Sequence, residues 1–359
     1  MKLTHLILAA SSAALIVACG DATKSDTSAP AKSAPAAQQD IRVVGSSTVY
    51  PFSTKVAQEF KNKTGQNVVV ESTGSGGGHK LFCEGIGENT PDVTNSSRRQ
   101  KKSEFDMCQE NGVENIVEVK IGFDGIVVAN AIDNADMSMD LDTLYLALAK
   151  QVPTSETDCT LIDNPYTRWS EIDSTLPDVR IEVFGPPPTS GTRDAFVEIA
   201  MEGGAKLVPC MAALRETDKK AFGTIAHTVR EDGKWIDSGE NDNALVQTLV
   251  NTPTAVGVFG YSFLAQNADK VKGALIGGAE PTFEAIASGD YPVSRSLYFY
   301  VKADKAAAKS GLQDFALEFT SDAAAGPGGY LEEIGLVPLP DAQRAKVRAD
   351  IENMTAYSQ

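Results

Sequence analysis

Three times, a short β-branched run in this chain breaks into a loop of Gly, Ser and Thr and then into an amphipathic stretch. Ile41-Arg42-Val43-Val44 passes through Gly45-Ser46-Ser47-Thr48 to Pro51, Phe52, Val56 and Phe60. Val68-Val69-Val70 passes through Ser72-Thr73-Gly74-Ser75-Gly76-Gly77-Gly78 to a helix expected from about His79 to Cys83. Ile181-Glu182-Val183-Phe184 passes through Gly185-Pro186-Pro187-Pro188-Thr189-Ser190-Gly191-Thr192 to Ala195, Phe196, Ile199 and Ala200. Strand, hydroxyl-rich loop and helix in alternation predict an α/β protein built on mostly parallel sheet. In such sheets ligands bind beyond the carboxyl ends of the strands, where the helix N-termini also point.

What the loops carry narrows the ligand. One Ser or Thr at a helix start is an ordinary N-cap and by itself says nothing more. Here Ser47 and Thr48, Ser75, and Ser190 with Gly191 and Thr192 recur at equivalent positions, and a fourth loop adds Ser96, Ser97 and Arg98. Free N–H groups, hydroxyls and the positive ends of helices together favour an anion. A hydrogen bond to a charged partner contributes about 1.5–3 kcal/mol net. A handful exceeds the roughly 8 kcal/mol of a micromolar site, before the costs of ordering and closure.

The net charge of −16 argues against nucleic acid, which requires clustered Lys and Arg. It does not exclude a small anion, because charges beyond about 8 Å are screened in physiological salt. At 359 residues the chain suits two lobes, and 42% hydrophobic with 22% charged residues is a soluble, globular composition. Lys2 followed by an apolar run from Leu6 to Val17 reads as a secretory signal over residues 1–18. Its end, Leu15-Ile16-Val17-Ala18-Cys19-Gly20, resembles a bacterial lipoprotein signal, which implies cleavage before Cys19 and lipidation there. Residues 19–40 then form a tether of Ala, Ser, Thr, Pro, Lys and Gln without periodicity.

Without Cys19, four cysteines remain, and in an exported chain they imply two disulfides with three connectivities. The sequence-local pairing, Cys83 with Cys108 and Cys159 with Cys210, is preferred because it staples each lobe separately. No Cys-x-x-Cys occurs, only His79 and His227 follow the leader, and neither a metal site nor a cofactor is expected. The run from Gly74 ends His79-Lys80-Leu81 and so lacks the Gly-Lys-Ser/Thr of a nucleotide loop. Gly-x-Ser-x-Gly is also absent, so no enzyme is expected. Trp169 and Trp235 are expected to be packing residues, in the core or at the surface, since lone aromatics seldom mark a site.

With these residues in view, the chain resembles the phosphate-binding proteins and lipoproteins that feed phosphate ABC importers. The matching pieces fall in family order: Gly45 to Pro51, Gly74 to Gly78, Asp92 to Arg98, Ser190 to Thr192, Gly257 to Tyr261 and Tyr291 to Arg295. The resemblance implies a two-lobed periplasmic-binding-protein fold of type II with two hinge crossings, near Asp124 and Tyr291–Arg295. Lobe 1 would then hold residues 41–124 and 292–359, and lobe 2 residues 125–291. It also implies a monomer outside the inner membrane, in the periplasm or at the cell surface. That monomer would capture inorganic phosphate and deliver it to a permease.

Carried over by position, Ser47, Thr48 and the backbone of Val49 hold one edge of the anion. Ser75 adds a hydroxyl, and Ser190, Gly191 and Thr192 close from the other lobe. Two positions depart from the family pattern. Pro186 stands where an arginine is common, and Ser97 where an aspartate acceptor is common. Arg98 or Arg193 is therefore expected to supply the cation and Asp194 the acceptor. The acceptor matters because protonated phosphate donates a hydrogen and sulfate cannot. Ser97 in place of that acceptor keeps a receptor for sulfate, molybdate or phosphonate as an alternative. A phosphatase or an adhesion protein on the same fold is the more distant alternative.

Overall fold

The computed structural model describes residues 39–155, 158–239, 241–252 and 254–359. The expected leader over residues 1–18 and the lipidated Cys19 lie outside the described residues. Among the described residues thirteen strands run in chain order: β1 Ile41–Gly45, β2 Val68–Ser72, β3 Val93–Ser96, β4 Ile116–Ala131, β5 Ser138–Met139, β6 Gln151–Pro153, β7 Leu161–Asp163, β8 Val183–Gly185, β9 Trp235–Asp237, β10 Val256–Gly260, β11 Val271–Gly273, β12 Leu275–Ile276 and β13 Ser294–Lys302. Nine form one sheet in the order β2-β1-β3-β13-β4-β10-β8-β9, with β11 also on β4, and two pairs stand apart.

The outer pairings are parallel, β1 with β2 and β3, and β8 with β9 and β10. The central ones are antiparallel, β13 with β3 and β4, and β10 with β4. The 16-residue β4 belongs to both halves of the sheet. From Val117 to Phe123 its apolar residues alternate with Glu118 and Lys120; from Ile126 to Ala129 it is apolar throughout and buried. The first pattern fits a sheet wetted on one face, the second a sheet covered on both. Its first part pairs with β13 and its last with β10 and β11.

The register fixes where the strand ends point. β1 and β3 run with β4, toward Asp124, whereas β8 and β10 run against it, so Gly260 at the end of β10 pairs with Ile126. The carboxyl ends of both halves thus converge where the chain passes between them, at Asp124–Gly125 and at Ser294–Arg295, which pair with each other. Gly125 suits that crossing, since a Cβ there would stand 2.7 Å from the Ile286 side chain, which would have to shift.

Each half has its own core. Val43, Val56, Phe60, Phe299 and Phe315 pack in the first. Leu144, Tyr145, Trp169, Phe196 and Trp235 pack in the second, so both tryptophans are packing residues. The disulfides are Cys83–Cys108 and Cys159–Cys210. The first is buried with Phe82, Val113 and Tyr300.

Five helices matter below: α1 Tyr50–Thr64, α2 Ser75–Phe82, α3 Lys102–Glu110, α4 Leu141–Leu148 and α5 Gly191–Phe196. The sequence reading starts α2 near His79, but the glycines from Gly76 are already its first turn. They serve contact rather than flexibility: a Cβ on Gly78 would stand 2.5 Å from the Gly45 Cα. Only glycine lets the helix lie this close to β1.

Candidate functional site

At the convergence of strand ends lies a cavity of about 470 Å³. Ser47, Thr48, Tyr50 and Pro51 line it from the loop between β1 and α1, and Thr189, Ser190, Gly191 and Thr192 from the loop before α5. Asp124 forms part of its floor, and Asp242 and Glu333 also border it. The two walls stand about one methyl group apart. A Cβ on Gly191 would lie 3.4 Å from the Ser47 carbonyl oxygen and 3.5 Å from the Thr48 Cα. Five of the residues expected from sequence, Ser47, Thr48, Ser190, Gly191 and Thr192, are therefore brought together from opposite halves of the sheet.

Local structure leaves their hydroxyls able to donate. Ser190 is the N-cap of α5, and its Oγ accepts from the Thr192 N–H at 3.2 Å, which leaves its own hydrogen for another partner. The Thr48 Oγ1, on a residue only 5% exposed, accepts from the Arg295 Nη2 at 2.6 Å and likewise keeps its hydrogen. The Val49 N–H is already donated to the Ser46 Oγ at 3.4 Å, and the residue is fully buried. Val49 thus helps to shape the loop between β1 and α1 and does not itself line the cavity.

The remaining candidates stand elsewhere. The Ser75 Oγ lies 3.1 Å from the Ser97 Oγ and accepts the Ser97 N–H, so these two tie the starts of the second and fourth loops together. Arg98 donates to both carboxylate oxygens of Glu104, at 2.9 and 2.7 Å. That bond holds the guanidinium above its ordinary pKa, with smaller help from the charges of Tyr300 and Glu198. Arg193 turns back over its own loop, donating to the Pro186 carbonyl at 3.1 Å, facing Asp237 at 3.5 Å and stacking 4.4 Å above Trp235. Neither arginine lines the cavity, and neither does Asp194.

Arg295, at the start of β13, does not line the cavity either, but of the three arginines it is the one bonded to residues that do, Thr48 and Asp124. Beside its bond to Thr48, its Nη1 donates to the Glu198 Oε2 at 2.5 Å, and its Nε faces the Asp124 Oδ2 at 3.5 Å. The guanidinium side chain is 14% exposed, and the Asp124 Oδ2 has no solvent contact and no hydrogen-bond donor. Burial pushes the Asp124 carboxyl above its ordinary pKa, against the opposing pull of Arg295. From the sequence, Arg295 is placed at a hinge crossing and not among the anion-binding residues. The available signal was a guanidinium opening an otherwise aromatic and aliphatic strand, Leu297 to Val301.

Neither histidine borders the cavity. His79 is fully buried between the Ser96 Oγ and the Gln100 side chain, and burial pushes its pKa down to about 4, so it is neutral. His227 lies 2.9 Å from Glu202.

A sheet in two halves whose strand ends meet at a hydroxyl-lined cleft with one buried cation defines a solute-binding protein of the two-lobed α/β class. Residues 29–323 match the family model described as PBP superfamily domain, and the chain belongs to that family. It is similar to Protein SphX from Synechocystis sp., 30% identical over 311 residues that cover 84% of this chain and 79% of the other. The phosphate-binding protein PstS of Staphylococcus saprophyticus is 26% identical over 347 residues, 95% of this chain and 91% of its own. Among solved structures, "a possible phosphate binding protein from Planctomyces limnophilus" superposes with a TM-score of 0.68 at 27% identity. That superposition covers 89% of this chain and 99% of the other.

Proposed function

We propose that the protein captures inorganic phosphate in this cleft and delivers it to a phosphate ABC permease. The observation that carries the reading is the meeting of Thr48 and Ser190–Thr192 across the cleft, with Arg295 bonded to Thr48. The names of the relatives from Staphylococcus saprophyticus and Planctomyces limnophilus support it. Three hydroxyls and a guanidinium, each contributing about 1.5–3 kcal/mol, reach the range of a micromolar site.

Selectivity is assigned to Asp124 rather than Asp194, because Asp124 borders the cavity and Asp194 does not. It accepts the hydrogen of a protonated phosphate and repels sulfate, which has none to give. This supports phosphate over the sulfate alternative despite Ser97. Lobe 1 comprises residues 41–124 and 292–359 and lobe 2 residues 125–291, a division supported by the pairing of Asp124–Gly125 with Ser294–Arg295. Ser75, Ser97 and Arg98 do not line the cavity, and no contact with the anion is assigned to them. The protein works as an extracytoplasmic monomer, a receptor and not an enzyme, anchored through Cys19; loss of labelled fatty-acid incorporation in Cys19→Ala tests the anchor.

Calorimetric titration of the purified protein with phosphate, arsenate and sulfate tests the function. Micromolar or tighter binding of the first two with at least a hundredfold preference over sulfate is expected. Sulfate binding as tight as phosphate would sink the assignment.

A further inference from the structure

Glu198 is not one of the hydroxyl, glycine or arginine positions that mark the site, yet it holds the site's cation. Its Oε2 accepts from the Arg295 Nη1 at 2.5 Å, the shortest of the three contacts of that guanidinium. Its charge also contributes, as the smallest of several causes, to the raised pKa of Arg98. A carboxylate there occupies the surroundings an incoming oxyanion needs.

Two further features show how it is held. The Glu198 side chain is 46% exposed, whereas Arg295 is 14% exposed. Glu198 can swing into water at small cost, while Arg295 stays anchored by Thr48 and Asp124. Glu198 also stands in a π-helical turn, Val197–Met201, continuous with α5, whose start forms the opposing wall. Such turns insert an extra residue and re-aim the side chains they carry. Here the turn delivers a carboxylate from the second half of the sheet to a guanidinium on the strand that returns to the first.

We propose that Glu198 is a tethered competitor for Arg295: it occupies the cation while the cleft is empty and is displaced when an oxyanion binds. The inference rests on the reading of the cleft as a phosphate site. It sets affinity rather than selectivity, because Glu198 opposes every oxyanion alike. It also compensates the Arg295 charge between binding events, in addition to Asp124.

Titration of wild type, Glu198→Gln and Glu198→Asp with phosphate, arsenate and sulfate tests it. Glu198→Gln keeps the side-chain shape and loses the charge, so affinity for phosphate and arsenate should rise about fivefold, the strength of a partly exposed ion pair. Sulfate affinity should rise by a similar factor. Glu198→Asp, one methylene short of the contact, should fall between. Phosphate affinity unchanged or weakened in Glu198→Gln would overturn the proposal; weakening for phosphate alone would instead make Glu198 an acceptor of the ligand hydrogen. Absence of phosphate binding in wild type would refute the phosphate reading itself, a result that does not depend on the variants.

Discussion

Replacing Arg295 with methionine removes the cation and keeps most of the aliphatic volume. Two unit charges about 4 Å apart interact by about 4 kcal/mol at the effective dielectric of a partly buried site. Loss of that term alone is about a thousandfold in affinity. The variant also leaves Asp124 and Glu198 without their shared partner, so a thousandfold is a floor. Stability should fall by about 3 kcal/mol, since removing one member of a buried pair strands the other.

The sign of the pH dependence follows from Asp124, whose pKa burial has already raised. A raised carboxyl contributes stability below its unfolded value and loses it as pH rises through its folded value. Without Arg295 the folded value rises further, so Arg295→Met should be relatively more stable at pH 5 than at pH 7.5. In Arg295→Met with Asp124→Asn the stranded charge is gone, and most of the stability should return while phosphate binding stays lost. Urea unfolding and calorimetry on the same samples separate the two effects. Wild-type affinity in the double variant would refute the assignment of Arg295.

Four further outcomes are expected. Gly191→Ala should bind phosphate within about threefold of wild type, because 3.4 Å from the Ser47 oxygen is ordinary contact; Gly191→Leu should prop the walls apart and lose at least tenfold with unchanged unfolding midpoint. Asp124→Asn should narrow the preference for phosphate over sulfate tenfold or more in competition titrations. Replacing Cys159 and Cys210 by alanine opens a loop with a sequence separation of 51 and should cost about 4 kcal/mol in urea unfolding. Glu202, held down to about 2 by the His227 hydrogen bond and then by Lys206, should contribute about 1 kcal/mol above pH 4.5 that disappears toward pH 2. Glu202→Gln should therefore lower the unfolding midpoint at pH 5.5 and leave it unchanged at pH 2.

Sequence periodicity carries the walls of the site but not its cation. The strand-to-helix switches at Gly45, Ser72 and Gly185 place Thr48, Ser75 and Ser190 at strand ends, and parallel-sheet topology makes such ends share one side. The fates of the arginines depend instead on partners distant in sequence. Glu104 claims Arg98, and Trp235 with Asp237 claims Arg193. Arg295 meets Asp124, which lines the cleft, because β13 pairs with β4 in the register that sets the two opposite each other. A shift of one residue would turn its side chain to the other face of the sheet. The early start of α2 was hidden because three glycines read as a loop until their contact with Gly45 is seen.

Arsenate offers the most direct test, since its heavy atom scatters anomalously and takes the place of phosphorus. A crystal grown with arsenate should show one anomalous peak in the cleft, its oxygens within hydrogen-bonding distance of the Thr48 Oγ1, the Ser190 Oγ and the Arg295 guanidinium. A peak lying instead against Arg193, or beside Ser75 and Arg98 without contact to Thr48 and Ser190, would contradict this account of the site.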